Sequence, residues 1–384
     1  MLVALGGPLA AMRGFDADDV VDHYARLRAV TDRVGEGPQQ LAAWIGLLNY
    51  YSQSAEFARL AEVGAAIARI AERMEIPVLF ALGRLLVGVT RLTMGTATEV
   101  AEAVAPALAL ADQGALPPPT STYEPDMTAW TYAMASFSFL YSAGDPNVAL
   151  SYIQRATERA AALDHASTIA NVKVLSCGML FQLADEERIA VFAREAVELA
   201  TDRGFRNLST QAGVYLAWSR VAAGDASAAG DSVAAVEAYL ACGSRSTVGW
   251  LRIVAADALR RAGRDDEALA QLDLAEVLIE RGGEIGYQEW TRWLRGTIAA
   301  QRGAGADAAR LFGEGLEIAR RQGHPYNEVR HAIALAPLWV RDGRAAEARA
   351  LLESSQRRFA PPSDTTTLSR QARTLLDGNL LRTS

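Results

Sequence analysis

Four histidines, two cysteines and a single lysine are the residues here best suited to chemistry, and their spacing argues against most of it. His324 and His331 stand seven residues apart, two turns along a helix. No H-E-x-x-H is present and no cysteine–carboxylate cluster joins them, so no metal site is expected. Cys177 sits among small and apolar residues and reads as packing, whereas Cys242 ends a predicted helix, where a thiol reaches solvent. Two cysteines cannot build a disulfide framework, which fits a reducing cytoplasm. Lys173 would form a Schiff base only in a dry pocket. It is flanked by Val172 and Val174, so it belongs to no G-x-x-x-x-G-K-[ST] phosphate loop and reads as a surface or groove lysine. A G-x-S-x-G elbow is also missing. The acidic pairs Asp185/Glu186 and Asp265/Asp266 fall at predicted helix starts, where they complement the helix dipole. No catalytic residue, metal or cofactor is expected, and the chain reads as a binding protein.

The elements that would position such residues are helices. Half of the 384 residues are hydrophobic and 22% are charged, ample for a folded protein. The net charge of −7 favours solubility and argues against direct binding to nucleic acid or to an anionic membrane. The most apolar stretch, Ile76 to Leu92, is interrupted by Arg84 and Arg91, so no membrane span is predicted. The mildly apolar Met1–Met12 lacks a basic lead and is closed by Arg13, so it is not expected to act as a secretory signal.

A repeat organises the chain. Gly144, Ala184, Gly224, Gly263, Gly303 and Gly343 follow one another at intervals of 40, 40, 39, 40 and 40, each just before a polar helix start. Glycine suits the left-handed residue after a helix end, so these positions mark the turn inside a helical hairpin. Three further positions keep step. Five residues after each marker come Ala149, Ile189, Ala229, Ala268, Ala308 and Ala348; twelve after come Ala156, Ala196, Val236, Ala275, Gly315 and Ser355. Seven before stand Phe137, Cys177, Ala217, Ala256, Gly296 and Ala336. Small side chains recur where two helices approach closely; Phe137 and Ile189 depart from the rule. A second series, Gly204, Gly243, Gly283 and Gly323, ends the longer second helices.

The fold class predicted is therefore all-α: a TPR-like α-solenoid, a right-handed superhelix of about nine hairpins with roughly eighteen helices. It is read as one domain over 1–384. Looser repeats occupy 1–115, a proline-rich loop 116–125, regular repeats 126–357 and a capping helix 364–377.

Four stretches carry a resemblance. They are Gly7-Pro8-Leu9-Ala10 with Arg13-Gly14-Phe15, Asp19 and Tyr24-Ala25-Arg26; Glu289-Trp290-Thr291-Arg292-Trp293-Leu294-Arg295-Gly296; Phe312 to Gly323; and Leu335-Ala336-Pro337-Leu338-Trp339 with Gly343 to Arg349 and Leu375-Leu376. Together they resemble the C-terminal tetratricopeptide region of bacterial signal-transduction ATPases, the nucleotide-cyclase-linked and LuxR/maltose-activator type. The resemblance implies a sensor or regulatory arm. The missing phosphate loop removes the ATPase itself, leaving either a free-standing sensor or part of a larger regulator.

In tetratricopeptide arrays the first helix of each hairpin lines the concave surface. Carried onto this repeat, that geometry places Met134, Tyr141, Asn171, Phe181, Gln211, Trp218, Trp250, Asp257, Trp290, Trp293 and Arg330 on the inner wall. These residues form the expected groove, aromatic with scattered polar handles, for a peptide, a protein or a small-molecule effector. The lysine-free wall, poor in arginine, does not show the basic clamp of chaperone-binding arrays. A protein scaffold without a small ligand is the second reading, and an adapted enzyme with a concave pocket the third. A homodimer is a further expectation where a solenoid end lacks a polar cap.

Overall fold

The structure, a computed structural model, describes residues 6, 9, 14, 15, 17–33, 38–97, 99–358 and 367–377. Most of Met1–Met12, and residues 364–366 of the expected capping helix, lie outside the described residues. Eighteen α-helices follow one another, with no strand among the described residues. They are α1 (Asp18–Arg33), α2 (Pro38–Gln53), α3 (Phe57–Arg73), α4 (Pro77–Thr93), α5 (Val100–Asp112), α6 (Met127–Ala143), α7 (Pro146–Leu163), α8 (Ala166–Gln182) and α9 (Glu186–Asp202). The second half continues with α10 (Arg206–Ala222), α11 (Ala229–Leu240), α12 (Val248–Arg261), α13 (Asp265–Gly282), α14 (Gln288–Gln301), α15 (Gly305–Gln322), α16 (Pro325–Arg341), α17 (Ala345–Arg358) and α18 (Thr367–Asp377). Each helix packs on the next, which is the hairpin stacking of a TPR-like solenoid.

Every marker of the repeat adopts positive φ, from Gly144 at 66° to Gly224 at 100°, and Ala184 takes the same conformation at 54°. The N-terminal half obeys the same register. Ala55 (φ 58°) turns α2 into α3 and Gly95 (φ 78°) turns α4 into α5, 40 residues apart. Between Gly95 and Gly144 the interval lengthens to 49, and the excess is the proline-rich loop. That loop is tied down: Ser167 Oγ donates to the Tyr123 carbonyl, and a His165 ring nitrogen meets the Ser121 carbonyl. Asp126, fully buried, then starts α6 by accepting from Ala129 N at 2.8 Å, and the Arg159 guanidinium grips both its oxygens.

The small-residue positions are the joints of the array. All are buried except Phe137, which is half-buried. A Cβ on Gly315 would overlap the His331 ring, and one on Gly296 would lie 2.6 Å from Phe312. Gly64 of α3 and Gly83 of α4 face each other so closely that a Cβ on Gly83 would lie 2.6 Å from Ala68 N. No larger residue fits such crossings without moving a helix.

The superhelix winds tightly enough for its successive coils to touch. Arg245 N and Ser246 N donate to the Gln53 carbonyl at 2.7 and 3.2 Å. Gly286 lies against the carbonyls of Leu92 and Thr93, and Ala97 N donates to the Gln322 carbonyl. Gly144 abuts Pro325, and Arg330 reaches the Gln182 carbonyl across 148 residues of sequence. These contacts form a seam running between the α2–α8 and α11–α16 coils.

Candidate functional site

Several of the residues expected on the inner wall meet one another in the structure. Phe181, at the end of α8, is the hub. Its ring lies 5.1 Å from Trp218 of α10, 5.4 Å from Trp250 of α12 and 5.2 Å from Trp290 of α14. Trp250 also packs edge-on to Trp290 and against Tyr287, and Trp290 against Trp293. Such tilted and edge-to-face contacts are the favourable ones for aromatic quadrupoles. Gly178, one helical turn before Hub residue Phe181, leaves room for the Tyr215 hydroxyl, which accepts from Trp250 Nε1 at 2.8 Å.

Two charged nodes flank the rings. At the first, buried Asp257 accepts from Trp218 Nε1 at 2.8 Å and from the Arg260 and Arg261 guanidinium groups. Burial alone would raise the Asp257 pKa, but the two arginines overcome it and hold the carboxyl below its ordinary value. At the second, Arg330 of α16 lies 3.8 Å above the Trp290 ring and within 6.0 Å of Trp293. It donates to Asn327 Oδ1 at 2.6 Å and to the Gln182 carbonyl, the last of α8, at 2.8 Å. Glu289, fully buried, accepts from Asn327 Nδ2 and faces His331 Nε2 at 3.1 Å. Burial pulls the Arg330 pKa below its ordinary value, and the negative charge of Glu289 opposes this.

Beside this node, buried His324 tilts against Tyr141 at 4.4 Å, joining α16 to α6. Among the described residues neither His324 ring nitrogen has a hydrogen-bond partner, and neither has Trp290 Nε1. Burial drives the His324 pKa down to about 3, so the ring is neutral near pH 7.

The inner-wall residues read from the sequence separate into two groups. Tyr141, Phe181, Trp218, Trp250, Asp257, Trp290, Trp293 and Arg330 converge, and of these only Trp293 is more than slightly exposed. Met134 is buried in a neighbouring core with α4, α5 and α7, while Asn171 and Gln211 are half-buried on their own helices. The wall is thus an interior cluster in this structure, open at Trp293 and Tyr287, and not an uncovered channel. Gln182, Glu289, His324 and Asn327 also belong to it. They were missed because adjacent turns of a coil meet through residues far apart in sequence.

Elsewhere, Lys173 pairs with Glu195 and lies over Phe192 at 4.7 Å, away from the aromatic hub. Cys177 is fully buried, with its thiol pKa raised by burial. An open groove of about 610 Å³ between α15 and α17, floored by Leu335 and Trp339, shares no residue with the cluster. Among the described residues no group of three His, Cys, Asp or Glu is placed to hold a metal ion, and no helix is long and apolar enough to cross a membrane.

Neither a family model nor a curated protein sequence matches the chain. Among solved structures it is similar to "Crystal Structure of Rap Protein Complexed with Competence and Sporulation Factor". The match has a TM-score of 0.55 and 12% identity, and covers 92% of this chain and 97% of that one. What the two chains share over that span is a TPR-like, all-helical repeat fold.

Proposed function

We propose that the chain is a non-catalytic binding module that takes a short peptide, or a peptide-like segment of a partner, on its inner wall. Its role is that of a sensor or regulatory arm in bacterial signalling. One observation carries this reading: aromatic residues from the first helices of four successive hairpins converge with one another and with a buried arginine. Aromatic and arginine side chains are the usual anchors of peptide and protein recognition. The similar Rap structure, which holds a competence and sporulation factor, supports the same use of the fold. The resemblance to tetratricopeptide arms of signal-transduction ATPases supports a regulatory setting.

Tryptophan emission of the purified chain, titrated with a short-peptide library, tests the proposal. Ligands seated on the wall should shift emission from Trp218, Trp250 and Trp290 and bind at least tenfold more weakly to Trp293→Ala. Peptides that bind without moving the emission and ignore Trp293→Ala would put the site elsewhere. The scaffold reading has its own observation, the exposed apolar pair Leu274 (46%) and Val277 (44%) on the outer side of α13.

A further inference from the structure

Arg330 is a buried guanidinium with no carboxylate in contact among the described residues, and it spans the seam. Its hydrogen bonds go to two neutral oxygens, the Gln182 carbonyl and Asn327 Oδ1, and its remaining contacts are aromatic rings. The nearby carboxylate, Glu289, is held one residue away by Asn327 and His331. A guanidinium is better matched by a carboxylate than by a neutral acceptor, because its planar fork can hold both carboxylate oxygens at once. The Gln182 carbonyl is therefore an acceptor that a carboxylate can displace.

The surroundings of that bond are also under-bonded. His324 has two ring nitrogens without partners, and Trp290 Nε1, on the ring beneath Arg330, has none. Buried polar groups in folded proteins are rarely left so, and several together at one seam mark an interface that a new partner can improve. The approach is provided by Trp293, half-exposed and facing the same guanidinium, with Thr297 and Ile333 half-buried beside it. Among the described residues Arg330 is the only arginine or lysine at this node, and neither of its hydrogen-bond acceptors is charged.

We infer that the ligand of the inner wall brings a carboxylate that takes Arg330 from the Gln182 carbonyl, and that this exchange unlatches the two coils. The inference rests on the inner-wall reading and adds to it the chemistry of the ligand and the way its arrival is transmitted. A ligand shifts a conformational equilibrium only by its preference for one state. Here the preference comes from the carboxylate–guanidinium pair, available only once the bond to α8 is given up. Loss of that bond frees α16 from α8 and leaves the Tyr141–His324 and Gly144–Pro325 contacts to open with it.

The experiment uses the full chain and one hexapeptide library in three forms. The first carries neutral side chains and a free C-terminal carboxylate, the second is the same set as C-terminal amides, and the third is amidated with one Asp or Glu. Binding is read by tryptophan emission, and the seam by hydrogen exchange at the amides around Gln182 and Tyr326. The expected result is at least tenfold tighter binding of acids than amides in wild type, faster seam exchange on binding, and loss of the preference in Arg330→Gln. Whether the first or the third form is favoured tells whether the carboxylate is terminal or a side chain. Equal binding of acids and amides to wild type would overturn the exchange while leaving the inner-wall reading intact. Binding by none of the three forms would overturn both. Should Arg330→Gln fail to fold, the acid-to-amide ratio and seam exchange in wild type still decide.

Discussion

The joints between hairpins and the seam between coils are both crowded contacts between helices, but they are built on opposite principles. At the joints, mostly alanines and glycines recur about every 40 residues, buried and, Ser355 and Cys177 apart, without polar side-chain atoms to satisfy. At the seam no position repeats. It combines a guanidinium on an indole, a carboxyl inside the protein and a histidine with no partner. The joints hold the array together through shape, which tolerates no addition. The seam adds to its aromatic contacts a set of polar ones whose net worth is small, since each group also gave up water.

The largest effect should come from a joint. Gly315→Ala places a Cβ inside the space of the His331 ring, so His331 must leave Glu289 or α15 must move. A loss of about 3 kcal/mol or more is expected in urea denaturation. A variant as stable as wild type would show that the joints are as yielding as the seam.

Next comes Glu284, a buried carboxyl just before α14. It accepts from Thr247 N at 2.6 Å at the start of α12, and burial lifts its pKa to about 7. In the unfolded chain a glutamate titrates near about 4.3. The native state holds the proton more tightly, so its contribution to stability is complete below about pH 4 and is lost as pH rises through about 7, by roughly 3 kcal/mol. Glu284→Gln keeps an acceptor for Thr247 and removes the titration. The stability of the variant relative to wild type should therefore rise from about pH 5 to about pH 8. A constant difference across that range would remove the effect. His324 works with the opposite sign: its contribution is lost as pH falls from about 6.5 towards about 3, and it cancels in the comparison.

A smaller change in stability is expected at Arg330. Arg330→Met keeps much of the apolar volume over Trp290 and removes the buried charge, so stability should change by less than about 2 kcal/mol in either direction. Exchange of the amides around Gln182 should nonetheless quicken. A large loss of stability with no local change in exchange would make Arg330 a joint residue in energetic terms.

The smallest effect concerns the turns. Ala184 holds φ 54°, where glycine is more comfortable, so Ala184→Gly should stabilise by roughly 0.5–1 kcal/mol, read as a higher melting temperature. A fall would mean that the methyl group packs better than its backbone strains.

These same features explain how much of the molecule was legible. The glycine turns and small joints were readable because each is a local requirement satisfied by one residue type. The N-terminal half looked looser for two local reasons. Ala55 and Glu75 occupy left-handed turn positions without being glycine, and the loop before Asp126 shifts the phase. The aromatic inner wall was readable as a list of positions. The meeting of the coils was not, because coil spacing accumulates from small rotations at every joint, none of which has its own residue signal. His324 therefore looked like an ordinary helix-start residue, and Glu289 like part of a family motif, although both are interior.

The contact of Gly286 with the Leu92 and Thr93 carbonyls has a mechanical consequence. Even one methyl group at this position would meet the backbone of the preceding coil, so at Gly286 the two coils are spaced by main chain and not by side chains.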